Sequence, residues 1–137
     1  MVKPEPSSRH PLIVFLLLLC ALAGSGPLLG ATPAPGSLNA IAPANCVKVW
    51  AFFLTAGALL FLVGIASQPR HLVSGVLMER VAAFMLAGAG IIYGTAVLGA
   101  AGPSALLPAG LVITLGVACL YRWYTLGRQI RAAKRSM

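Results

Sequence analysis

The side chains able to do chemistry are few in this chain, and they stand apart. Cys20, Cys46 and Cys119 are widely separated, with no CxxC spacing. Cys20 and Cys119 fall inside apolar runs, where a thiol behaves as a small hydrophobe. Cys46 stands at the mouth of a run, where pairing between chains is the alternative to a free thiol. His10 and His71 have no partner at metal-ligand spacing and read as solvated. The acids number two, Glu5 and Glu79, and Glu79 is followed directly by Arg80. No Ser/His/Asp set, phosphate-binding glycine loop or His/Cys cluster exists to carry nucleophilic, nucleotide or metal chemistry. The expectation is therefore a non-enzymatic protein with no catalytic residue, no cofactor and no metal.

The elements that hold these residues are greasy. Of 137 residues, 59% are hydrophobic and 9% charged, against about 25% charged in an ordinary soluble domain. One small core cannot hide that much apolar surface from water. Long apolar runs between short polar breaks match a chain whose solvent is lipid. The reading is an all-α integral membrane bundle with spans over about 11–31, 47–66, 81–100 and 105–124. A basic leader (1–11) precedes the membrane domain (12–124), and a basic tail (125–137) follows it.

The first run, LIVFLLLLCALA, follows a basic leader and loosens into Gly24, Gly26 and Pro27. That layout is expected as a retained first span; the alternative is a cleaved secretory signal with three spans left behind, for which Ala23 and Ser25 followed by Pro27 make a poor cleavage site. Residues 32–46 carry three prolines and a glycine and no charge, and they read as an irregular loop. In the break at 67–80, Leu72, Val73, Val76 and Leu77 share one helical face. That piece either lies along the membrane surface or forms the first turns of the third span. Ala101–Ser104 reads as a tight turn.

The basic residues give the orientation. Of ten, Lys3 and Arg9 lie in the leader, Arg70 and Arg80 in the middle break, and Arg122, Arg128, Arg131, Lys134 and Arg135 at or beyond the last span. Lys48 alone falls on the opposite side. Nine against one is a strong positive-inside bias, placing both termini in the cytoplasm and the protein in the cytoplasmic membrane.

Lys48 and Trp50 are expected as interface anchors at the outer edge of the second span, and Tyr121, Arg122, Trp123 and Tyr124 at the far edge of the fourth. Glu79 and Arg80 are expected as anchors opening the third span. There Glu79 sits in the first turn, suits the positive end of the helix dipole and pairs with a basic neighbour. Ala83, Ala87, Gly90 and Gly94 follow a 4, 3, 4 spacing that gathers small residues on one face, a helix-packing surface for a neighbour in the same chain or for another copy. Arg128, Arg131 and Arg135 line one face of the tail, with Lys134 beside them. They serve as an anchor on anionic headgroups or a dock for a protein partner, and nucleic acid is not an expected partner. Thr55, Thr95 and Thr114 are isolated hydroxyls expected to bond back to their own helix. With no ionisable side chain at mid-depth, small-solute transport is the least favoured function.

Two stretches, LMERVAAFMLAGAGIIYGTAVLGA (77–100) and ACLYRWYTLGRQIR (118–131), resemble small multi-span membrane proteins of actinobacterial phages and prophages, some of them holins. Glu79, Arg80, Gly88, Gly90, Tyr93, Arg122 and Trp123 carry the resemblance. It implies a holin-like protein that self-associates and permeabilises the cytoplasmic membrane. The other reading is a structural or accessory subunit docking a partner protein.

Overall fold

The computed structural model describes the backbone of residues 11–68 and 72–135. The leader with Lys3, Arg9 and His10, and Arg70 and His71 of the middle break, lie outside the described residues, as do the side chains of Lys134 and Arg135. Among the described residues all regular structure is helical. The order is α1 (Pro11–Leu29), α2 (Gly36–Ile41), α3 (Ala44–Ser67), α4 (Leu72–Ala101), a 3-10 turn (Gly102–Ala105) and α5 (Leu106–Arg135).

Among the described residues three stretches are long and apolar enough to cross a membrane: Pro11–Leu29, Ala44–Ser67 and Val73–Arg128. The last of these takes in α4, the turn and α5. Its 56 residues, at about 1.5 Å each, would make a straight rod of roughly 84 Å. The chain reverses instead. Gly102 has φ +61°, a left-handed conformation that a side chain makes costly. Pro103 follows it as the second residue of the turn, and the Ser104 hydroxyl donates to the Ala101 carbonyl at 2.7 Å. α1 also ends on a left-handed glycine, Gly30 at φ +71°. The Ala31 amide donates to the Gly26 carbonyl at 2.9 Å and the Gly30 amide to Pro27 at 3.3 Å. Those two bonds form the Schellman closure that satisfies the last carbonyls of a helix.

Glycine positions reveal the register. On α3, Gly57 faces Met85 and Leu86 of α4, while Gly64 faces Gly75 and Glu79. On α4, Gly90 faces Val112 and Gly116 of α5, while Gly94 faces Ala109 and Ile113. Rising numbers on one helix meet falling numbers on the next, so each neighbouring pair is antiparallel. α1 packs on α3 through Gly24, set against Ala51 and Thr55. The contact order is α1 on α3, α3 on α4 and α4 on α5.

Several expected boundaries move. Residues 32–46 are not wholly irregular: they contain α2, whose Leu38 is fully buried and which leans on α4 where Ile41 meets Gly99. Proline explains the start, because Pro35 and Pro43 sit just before α2 and α3, where a missing amide donor costs nothing. Residues 72–80 are the opening turns of α4, continuous with the rest of that helix. Glu79 therefore lies two turns inside α4 and not in its first turn. α5 runs unbroken to Arg135, so the tail is helical and no structural boundary falls at 124.

Candidate functional site

Glu79 is the focus of the bundle. Its side chain is 1% exposed, yet a carboxylate in an apolar interior is tolerated only when its oxygens are satisfied. Both are. Oε1 accepts from Arg122 Nε at 2.8 Å and Nη2 at 2.7 Å, and Oε2 accepts from Gln68 Nε2 at 2.7 Å. One carboxylate thus ties together the end of α3, the early turns of α4 and the middle of α5. Close approach makes this possible. A methyl built on Gly64 would stand 3.0 Å from both the Glu79 amide nitrogen and the Gly75 carbonyl oxygen, so α3 and α4 nearly touch backbone to backbone beside it.

Arg80, next along α4, points to the other side of the α4–α5 seam. Its guanidinium carbon lies 4.9 Å from the centre of the Trp123 ring, a cation–π arrangement. The same guanidinium fills the space over Gly127, where a methyl would come within 3.0 Å of it. Its Nε is buried without a hydrogen-bond partner. Trp123 also meets Phe84, ring centres 6.1 Å apart.

These contacts revise the anchor residues. Lys48, Tyr121 and Tyr124 are exposed. Trp50 is not: it is 4% exposed and stacks on Tyr93 at 5.7 Å. Glu79, Arg80, Arg122 and Trp123 join α4 to α5 and do not simply rest at a lipid surface. In the tail, Arg128 and Arg131 are exposed, and Arg131 Nε donates to the Gly127 carbonyl at 3.2 Å.

The small-residue face of α4 is occupied. Ala83 and Ala87 are fully buried. A methyl on Gly90 would lie 3.3 Å from the Val112 carbonyl, and one on Gly116 3.2 Å from that of Ala87. Gly94 sits against Ile113 and the Ala109 carbonyl. The face serves α5 of the same chain, and another copy reaches it only if that hairpin opens. Thr95 and Thr114 bond back to their own helices as expected. Thr55 does not, because its buried hydroxyl is pressed against Gly24 and finds no partner.

Sequence reasoning missed a cleft. α1 leans on α3 and α5 on α4, leaving a cavity of about 570 Å³ between α1 and α5. One wall is Leu12, Leu16, Cys20 and Ala23 of α1; the facing wall is Val112, Leu115, Gly116 and Cys119 of α5. Ala89, Gly90 and Tyr93 of α4 line it as well. At the Glu79 end the cleft continues into a second hollow of about 310 Å³ that shares Ile13, Phe61, Leu115 and Cys119 and reaches Glu79 and Arg122. The i, i+3, i+4, i+7 stripe of 112, 115, 116 and 119 leads to Arg122 and was the available signal. The lining is otherwise apolar, so the arrangement suits holding an apolar guest. Among the described residues no three His, Cys, Asp or Glu side chains come together as metal ligands. Comparison with known proteins finds no matching family model, curated protein or solved structure.

Proposed function

We propose that this chain is a four-span, non-enzymatic accessory protein of the cytoplasmic membrane that works by binding an apolar guest in the cleft between α1 and α5. The observation that carries the reading is the cleft itself, apolar along its length and ending on the Glu79–Arg122 pair. Counting α4 and α5 as separate spans gives four, since each is 30 residues long and a crossing takes about 20. The Arg80–Arg122 end then faces the cytoplasm, by the charge bias, and α2 with the Gly102 turn faces out. α1 counts as a retained span because Gly24 is fitted to Ala51 and Thr55 of α3.

The holin-like alternative needs a surface through which copies meet, and the small-residue face of α4 is already taken by α5. Two readouts in expressing cells test the proposal. Cys46, exposed at the start of α3, should react with a membrane-impermeant maleimide from outside, while a cysteine placed at Arg128 should react only after permeabilisation. Membrane potential should hold during induced expression. Labelling with the opposite sidedness would overturn the topology, and sudden depolarisation would replace binding with permeabilisation.

A further inference from the structure

The cleft's dimensions and charge identify its guest. We infer that it holds one acyl chain of an anionic phospholipid of the cytoplasmic leaflet, with the phosphate against Arg122. This rests on the binding role proposed above and names the ligand class.

Size excludes a protein helix. From the level of Tyr93 to that of Glu79 the cleft follows α4 for 14 residues, roughly 21 Å at the helical rise. A helix 10–12 Å across fills roughly 1,600–2,400 Å³ over that length, about two to three times the cavity of about 570 Å³ and the hollow of about 310 Å³ taken together. One leaflet of a bilayer is about 15 Å of hydrocarbon deep, so a single lipid chain fits within the length of the cleft and is slim enough to enter. Ala89, Gly90 and Gly116 line the slot, and the leucines of α1 with Val112 and Leu115 of α5 supply its sides.

Charge then selects the headgroup. Among the described residues Arg80 and Arg122 stand at the Glu79 end, with Arg128 and Arg131 further along α5, against one carboxylate, so positive charge is in excess there. Basic hollows between helices on the cytoplasmic side are sites for anionic headgroups. Glu79 holds Arg122 by Nε and Nη2, and Gln68 holds Glu79 in turn. The guanidinium is thereby fixed at the cleft's mouth while about 40% of the Arg122 side chain stays exposed. A phosphate arriving there meets a preorganised donor.

Trp50 lines the far end of the cleft, which provides a reporter. The full chain carrying Trp123→Phe keeps Trp50 as its one tryptophan. In detergent it is titrated with phosphatidylglycerol brominated near the chain terminus, against unlabelled phosphatidylglycerol and phosphatidylcholine as competitors. The expected result is saturable quenching that phosphatidylglycerol relieves at about fivefold lower concentration than phosphatidylcholine. That preference should vanish in Arg122→Gln, and also in the charge-free Glu79→Gln/Arg122→Gln pair, which spares Glu79 an unpaired charge. Equal competition by both lipids overturns the anionic-lipid assignment and leaves an apolar-guest cleft standing. Absence of saturable quenching by either lipid overturns both. Quenching lost as the protein self-associates assigns the cleft to a second copy and overturns the lipid.

Discussion

The two sides of this bundle are built differently. On the α3–α4–α5 side, helices meet through Gly57, Gly64, Gly75, Gly90 and Gly116, and backbones approach to contact distance. On the α1–α5 side, leucines of α1 face Val112, Leu115 and Cys119 across an open cleft. In lipid an apolar surface gains little by leaving the solvent, so helices associate where small residues allow close dispersion contact or where polar groups need each other. The first side has both devices, with the Glu79–Arg122 pair at its end. α1 has one, Gly24, and spends it on α3. Leu12, Leu16, Leu19 and Leu22 remain exposed, and nothing draws α1 to α5. A seam closes where side chains are absent and stays open where they are large.

The largest effect should come from refilling the tight seam. In Gly64→Leu the new side chain meets the backbone of α4, which has no rotamer to yield, and the loss should be about 3 kcal/mol or more. Detergent-solubilised protein should lose its cooperative thermal transition. An unchanged transition would show that α3 and α4 do not pack at this register.

Next comes the ion pair. Arg122→Ala leaves Glu79 buried with Gln68 as its one remaining partner, a cost of about 2–3 kcal/mol once the exposure of Arg122 is allowed for. The neutral pair Glu79→Gln/Arg122→Gln should recover at least half of the lost melting temperature, since no charge is then stranded. If single and double variants melt alike, the pair contributes geometry and not charge compensation.

How much of this was legible in the sequence follows from the kind of signal each feature gives. Apolar runs and the Gly102–Pro103 break mark helices and their reversal, because length and backbone chemistry are local. The 4, 3, 4 spacing from Ala83 to Gly94 marks a packed face, but not that α5 fills it. The burial of Glu79 was hidden, because an adjacent Arg80 offered a nearer partner than Arg122, 43 positions away. Gln68, in a polar break, looked like part of a loop. α2 was masked by the prolines that in fact start it. The cleft was hard to read because α1 and α5 pack little against each other, and the stripe of 112, 115, 116 and 119 that lines it looks like any lipid-facing stripe.

The smallest expected effect sharpens the contrast between the seams. Leu115 lines the cleft and is 53% exposed, so Leu115→Ala removes few partner atoms, and the surrounding chains can fill the space. Its cost should stay within about 1 kcal/mol. Phe61, on the other wall of the same hollow, is 9% exposed and packed in the core with Leu17, Ala58 and Ala82. Phe61→Ala should cost about 3 kcal/mol, as a buried aromatic truncation does when its cavity cannot collapse. The paired thermal transitions separate two architectures. If Leu115→Ala proves as damaging as Phe61→Ala, α1 closes on α5 in the working protein, and the cleft is a state the bundle opens rather than one it keeps.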